Sequence, residues 1–307
     1  MLLSVVTVTH NSAGVLPAFL RSLNHATPES VEIIVVDSGS DDLPQVERVV
    51  EHFGGVLVAV PDNVGYGFGS NLGARLATGE WVAFVNPDVA VSTEDLLSLV
   101  EVARDHGLSV IGPTIRSVVS EAPPSARPLI EPLWRRPSWE FALDGAVVRA
   151  PSMSGCCMVM RADRFREIGG FDPRYFMFAE ETDLHLRLRE SGDAAGVSRE
   201  IVAYTEGGGS SEGVTSGWAV VQRCVSRVVY SFKNLSVLAG TVDLGWRILQ
   251  LLTGRDIPRW VALKQFSREL LRTRTLGRRD IDTYLGMVRV EDYRRGPGTT
   301  SQAQAEE

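Results

Sequence analysis

The sequence predicts an α/β fold: a mostly parallel, Rossmann-like sheet flanked by helices, followed by a helical C-terminal extension. Three observations carry this. Over the first hundred or so residues, short β-branched runs alternate with segments whose apolar residues recur at helical spacing. The strand-like runs are predominantly apolar, as expected of strands covered on both faces. Polar residues gather just past the ends of those runs: Thr9 and Asn11, Asp37 and Ser38, Asn63, then Asn86 and Asp88. In open α/β sheets, ligands bind beyond the C-terminal strand ends.

The elements follow in order. "LLSVVTVT" is a first strand, and "AGVLPAFLRSL" is a helix with Val15, Leu16, Phe19, Leu20 and Leu23 on one side. "VEIIVVDSGS" is a strand ending in an acid and a turn; "DLPQVERVVEHF" is helical and "GVLVAV" extended. "GYGFGSNLGARLAT" opens a helix with glycines, and "EWVAFVNPD" is a strand that Pro87 stops, having no N–H to donate. Ser92 or Thr93 caps the next helix, "STEDLLSLVEVARDHG", and "LSVIGPTI" is again extended. Residues 117–140 are Pro-rich. Arg127, Trp134, Arg135, Arg136 and Trp139 are costly choices for a passive linker there, so a functional loop is expected. "SGCCMVMRADRFREIGGF" reads as strand then helix, and "AEETDLHLRLRESG" as a helix ended by Gly192. The expected organisation is a catalytic domain over 1–213 (halves 1–115 and 116–213), a helical extension over 214–293 and a disordered tail over 294–307.

Bulk properties narrow the classes. Apolar content of 44% permits a sizeable core. Cys156, Cys157 and Cys224 have neither zinc-ligand spacing nor an even count, so a reducing, cytoplasmic setting is expected. The N-terminus reads as a strand rather than a signal segment, and no apolar run reaches membrane-spanning length. The net charge of −7 divides unevenly: −13 over 1–213, +8 over 214–295 and −2 over the tail. A basic section of this kind suits anionic lipid headgroups, or it is simply a solvated helical surface. Nucleic acid is not an expected partner.

Two acidic centres carry the chemistry. Asp88, a hard oxygen ligand at a strand tip, suits Mg²⁺ shared with substrate phosphates. Asp37 ends a buried strand and either accepts from a pyrimidine N–H or caps the turn after it. The glycines at 65, 67 and 69 do not form the G-x-G-x-x-G pattern; they are either a phosphate-binding helix entry or a flexible loop. Glu180, Glu181 and Asp183 open a helix directly after the aromatic "YFMF". Acids there suit the helix dipole. Pairing of Asp183 with Arg187 at i,i+4 would leave Glu180 or Glu181 free to serve as a general base.

The order of "VVTVTHNSAGVLPAFLRSL", "IIVVDSGSDD", "DNVGYGFGSNLGARLATGEWVAFVNPDV", "SGCCMVMRADRFREIGGFDPRYFMFAEETDLHLRLRESG" and "GGGSS" resembles glycosyltransferase family 2, of the GT-A fold, over about residues 2–235. "PPSARPLIEP" is similar to a segment of its branch that places rhamnose on polyprenyl-diphosphate-linked N-acetylglucosamine. The resemblance implies that Thr9, Asn11, Asp37, Asn63, Gly65, Asn71, Asn86 and Asp88 bind a nucleotide sugar. It also implies that Asp88 holds Mg²⁺ or Mn²⁺ and that Glu181, beside Glu180, is the base. Where relatives often have a metal-binding His before the glycines, this chain has Tyr204-Thr205-Glu206, with Glu206 a candidate oxygen ligand. The implied activity is inverting transfer, from a dTDP-rhamnose-like donor to a lipid-linked or glycan acceptor, at the inner face of the plasma membrane. A weakly active nucleotide-sugar binder and a nucleotidyltransferase are the alternatives. The absence of Lys and Arg from "VTVTHNSAG" argues against the latter.

Overall fold

A computed structural model describes residues 1–23, 30–117, 125–136, 141–205, 216–254 and 258–294. The chain runs β1 (Leu3–Thr9), α1 (Leu16–Ser22), β2 (Val31–Ser38), α2 (Leu43–Phe53), β3 (Val56–Val60), α3 (Tyr66–Leu76), β4 (Trp81–Val85), β5 (Val89–Ala90), α4 (Thr93–Asp105) and β6 (Val110–Ser117). There follow β7 (Ala126–Arg127), β8 (Ala142–Asp144), β9 (Val147–Arg149), β10 (Ser152–Met153), β11 (Cys157–Arg161), α5 (Ala162–Glu167), α6 (Glu180–Glu190) and β12 (Ala195–Thr205). The C-terminal section is α7 (Ser216–Tyr230), a π-helical turn over Ser231–Leu235, α8 (Val237–Thr253), α9 (Arg259–Leu276), α10 (Ile281–Leu285) and β13 (Arg289–Asp292).

The main sheet has the order β13-β3-β2-β1-β4-β11-β6-β12-β9-β8, and β5 pairs with β12. Strands β1 to β4 are mutually parallel, as are β6 and β12; β11 runs antiparallel between β4 and β6. Successive residues of a strand point to opposite faces, and here they feed two separate cores. Val5, Val35, Leu57 and Ala83 pack with Leu16, Phe19, Val46 and Leu99 of α1, α2 and α4. Val6, Val36, Val58 and Phe84 pack with Phe68, Leu72, Phe165 and Leu184 of α3, α5 and α6. Both faces are thus covered, which accounts for the unbroken apolar runs.

Two glycines of α3 have a packing role. A Cβ on Gly73 would lie 2.4 Å from a Val6 methyl, and one on Gly69 2.9 Å from a Val8 methyl. They let α3 lie close against β1. Ser92 caps α4, accepting from the Asp95 N–H, as its sequence predicts. The C-terminal section is helical as expected, with a third small core of Val221, Val225, Val228, Leu251 and Phe266. Its unforeseen end is β13, which pairs antiparallel with β3 at the sheet edge. The expected tail beyond residue 294 and Trp139 lie outside the described residues.

Candidate active site

The polar tips of β1, β2 and β3 meet on one rim. Thr9 pairs with Asp37 in the β1–β2 ladder, and both are buried. Asp37 fills one of its two anticipated roles, the turn cap. Oδ1 accepts from the Ser40 N–H at 3.1 Å and so caps the turn, while Oδ2 is buried with no partner. Burial pushes this carboxyl upward against hydrogen bonds from Ser40. The Thr9 hydroxyl is also buried and unpartnered. Asn11, in the left-handed region at φ +53°, reaches across to accept from the Asp41 N–H at 2.8 Å. Asn63 Oδ1 accepts from the Gly65 N–H at 3.0 Å, and Ser38 Oγ accepts from the Val64 N–H at 2.9 Å. Gly65 enters α3 at φ +83°, where a Cβ would sit 2.2 Å from the Phe176 carbonyl oxygen.

Asn71 does not face this rim. Its amide donates to the Phe171 carbonyl at 2.7 Å and accepts from the Phe171 N–H at 2.9 Å. Both ends of the side chain are committed to holding the loop before α6.

One loop, Ser154-Gly155-Cys156, joins the two acidic centres. The Cys156 carbonyl accepts from the Asn86 N–H at 2.8 Å, fixing the turn that presents Asp88. The Gly155 carbonyl accepts from the Tyr66 hydroxyl at 2.9 Å, and a Cβ on Gly155 would lie 3.1 Å from Glu181 Cβ. Ser154 Oγ accepts from Arg127, whose guanidinium also reaches Glu181 Oε1 at 3.4 Å. The Pro-rich segment therefore delivers a cation to the site. Sequence reading flagged Arg127 as a costly loop residue but had no signal for its partner. The neighbouring thiols of Cys156 and Cys157 are pushed up by burial, so they stay protonated.

Asp88 Oδ1 is buried with no partner. Among the described residues no three His, Cys, Asp or Glu side chains converge as a complete metal cage. A lone carboxylate with one oxygen unspent fits a cation that takes its remaining ligands from a diphosphate and water. Thr205 pairs with Val89, so β12 ends beside the residue that follows Asp88. Glu206 itself lies outside the described residues.

Glu180 and Glu181 sit buried in the first turn of α6. Burial and then the charge of Glu181 push Glu180 well above the usual carboxylate range. Burial raises Glu181 too, but Arg127 and the backbone N–H groups of the first turn oppose it. The two environments differ: Glu180 carries the larger upward push, and the contact with Arg127 is made by Glu181. One turn on, His185 is fully buried and pushed down to about 4, chiefly by that burial, so it adds no charge beneath the pair.

The approach to α6 is strained. Phe178 and Ala179 both have positive φ, +71° and +66°, which costs about 1–3 kcal/mol per residue and persists only where the surroundings enforce it. Helix α7 does so: Trp218 packs edge-on against Phe176, Ser226 donates to the Met177 carbonyl at 2.7 Å, and Arg223 stands over the Phe178 ring. From α9, Arg272 lies over Phe176 and donates to the Asn63 carbonyl. Asp183 pairs with Arg187 at 2.9 Å, as its spacing predicts, and also takes Lys233 and Asn234 from the π turn. The helical extension thus braces both the rim and the acidic helix.

Comparison with known proteins follows this geometry. The chain is 32% identical over 220 residues to the N-acetylglucosaminyl-diphospho-decaprenol L-rhamnosyltransferase of Mycobacterium tuberculosis, covering 62% of this chain and 71% of that one. It is 26% identical over 210 residues to the rhamnosyltransferase WbbL of Escherichia coli, covering 61% and 77%. Among solved structures it is similar to residues 1–349 of S. aureus TarS, with TM-score 0.54, 19% identity and coverage of 93% and 89%. It is also similar to the mannosyltransferase PcManGT of Pyrobaculum calidifontis, solved with GDP-Man and Mn²⁺, with TM-score 0.55, 18% identity and coverage of 92% and 84%. These likenesses support the GT-A fold. The profile described as Glycosyl transferase family 2 matches residues 4–169, more than half the sequence, and the chain belongs to that family.

Proposed function

We propose that this glycosyltransferase is an inverting enzyme of cell-envelope glycan synthesis that moves L-rhamnose from a dTDP donor to a hydroxyl of a lipid-linked acceptor. The observation that carries the mechanism is the separation of roles around the Ser154–Cys156 loop. On one side stands Asp88 with an unspent buried oxygen; on the other stands Glu181, whose carboxylate Arg127 contacts at 3.4 Å. The unpartnered Oδ2 of Asp37 is suited to accept from the N3–H of a thymine ring, with the Thr9 hydroxyl beside it. Asn63 and Gly65 are the candidates to flank ribose and diphosphate.

Asp88 is the residue to hold Mg²⁺ or Mn²⁺, which would supply Lewis-acid stabilisation of the leaving diphosphate. Glu181 takes the proton from the acceptor hydroxyl as its oxygen attacks the anomeric carbon from the face opposite the leaving group. A single displacement inverts that centre. Glu180 stays neutral and keeps negative charge from accumulating beside the base. Rhamnose and a polyprenyl-linked acceptor are supported by the names of the two relatives, and work at the inner membrane surface follows from such an acceptor. Family membership weighs against the nucleotidyltransferase alternative.

Glu181→Gln tests the reading. General-base removal lowers kcat by about 10²–10⁴-fold, and donor affinity by calorimetry with Mn²⁺ stays unchanged. Near-native turnover would overturn the assignment. Unaltered donor binding in a native protein that turns over no acceptor would favour the non-catalytic binder.

A further inference from the structure

Helix α8 is built inside out. Its only charged residues, Asp243 and Arg247, face the protein. Asp243 is fully buried and accepts from Arg227 at 3.0 Å and from the Ser231 hydroxyl, while Arg247 lies 3.6 Å from it and donates to Gln250. Leu251 enters the third core and Leu244 packs against it, but most of the large apolar side chains turn outward. Val237 is 74% exposed and Leu238 66%, and Val242, Trp246 and Leu249 continue the same face at i+4, i+8 and i+11 from Leu238. At the start of α9, Trp260 is 83% exposed and Val261 stands beside it. Helices of water-facing proteins have the reverse arrangement. Contiguous apolar patches of this kind mark an interaction surface.

We propose that this face of α8, with Trp260, is the seat on which the protein rests in the interfacial layer of a phospholipid bilayer. The charge around it selects the occupant. On α9, Lys264 and Arg268 follow Trp260 at i+4 and i+8, exposed on the same side. Arg274 near the end of that helix and Arg278 just beyond it line a cleft of about 460 Å³, where Arg174 and Lys233 are paired with Asp172. An apolar face bordered by cations complements acyl chains beneath anionic headgroups, with tryptophans at the boundary. A second copy would set the +8 section of residues 214–295 against its like. Among the described residues no helix is long and apolar enough to cross the membrane, so the seat lies along the surface.

The inference rests on the lipid-linked acceptor proposed above and changes how the enzyme reaches it. Attachment is chiefly apolar rather than electrostatic. Helix α8 packs on α7, and α7 in turn holds the Phe176–Phe178 approach to Glu181. The seat is therefore one helix layer, about 10 Å, from the segment that carries the base.

Flotation of the full chain with vesicles tests this, using phosphatidylcholine alone and phosphatidylcholine mixed with phosphatidylglycerol. The native protein is expected to float with both, more strongly with the mixture, and raised salt removes only the difference. The triple variant Trp246→Ser/Leu249→Ser/Trp260→Ser is expected to lose vesicle affinity more than about tenfold while its thermal midpoint and donor affinity hold. Undiminished flotation of that variant would overturn the proposal. So would a native dimer that the same substitutions convert to monomer without loss of vesicle binding. Glu181→Gln must float like the native protein; a native protein that floats but transfers no sugar would sustain the seat and refute the proposed activity.

Discussion

Arg127 offers the sharpest test of how the base is tuned. Its Nη1 lies 3.4 Å from Glu181 Oε1. At an effective dielectric near 20, two unit charges at that separation attract by about 5 kcal/mol, a ceiling for the pair. The Arg127 side chain is one-third exposed, so water screens it, and a net value of about 1–3 kcal/mol is appropriate. The cation favours the carboxylate form of Glu181, so Arg127→Met leaves burial opposed only by the backbone N–H groups of the first turn and moves the carboxyl further up. A base works only when ionised. The acid limb of the kcat/KM profile must therefore move to higher pH, because the group must be titrated against a stronger tendency to stay protonated. On that limb, kcat/KM falls by roughly tenfold to a hundredfold, about one decade per 1.4 kcal/mol, and recovers on the alkaline plateau. The assay is initial-rate transfer over a pH series, with circular dichroism to confirm the fold. An equal proportional loss at every pH would refute this reasoning and assign Arg127 to substrate binding instead.

Three further substitutions separate architecture from chemistry. Gly65→Ala places a Cβ 2.2 Å from the Phe176 carbonyl oxygen at φ +83°; a loss of about 2–4 kcal/mol should appear as a lowered denaturation midpoint. Asn71→Ala strands the buried N–H and C=O of Phe171 and should cost about 2–4 kcal/mol with donor affinity by calorimetry unchanged; weakened affinity without destabilisation would restore its place in the donor site. Lys233→Met removes the cation shared by Asp172 and Asp183 and should cost about 3 kcal/mol at neutral pH in urea unfolding. Burial would raise the Asp172 carboxyl, but hydrogen bonds from Arg174 and Lys233 outweigh it and hold that carboxyl far below its usual range. Its stabilisation is therefore present above the ordinary aspartate value of 3.8 and is lost as the pH falls through the depressed one. The deficit should accordingly shrink in acid.

Local chemistry was legible in the sequence and long-range pairing was not. The strand tips could be read because a both-face-buried run ending in Asp or Asn leaves a polar group with nowhere to go except the rim. The Ser92 cap and the Asp183–Arg187 pair are contacts within one helical turn, fixed by spacing alone. By contrast, nothing in "SGCC" says that its loop touches Asn86, Tyr66, Arg127 and Glu181, since those contacts span 26 to 89 residues. The Phe171 contacts of Asn71 were equally hidden, because they join residues 100 apart. For α8, which side turns inward was decided by Arg227 and Ser231 supplying partners for Asp243, residues outside that helix.

The return of β13 to the sheet bears on solubility. Without it, Val56–Val60, a wholly apolar "VLVAV", would be the terminal strand, with its amides and carbonyls free to recruit another chain. The strand that covers it reads "RVED", three of its four residues charged, so the new boundary discourages further accretion. Trimming the chain before Arg289 would therefore do more than shorten a helical appendage. It would uncover a sticky template at the opposite end of the sheet from β8, and aggregation of such truncations would reflect that uncovered ladder rather than a failure of the catalytic half to fold.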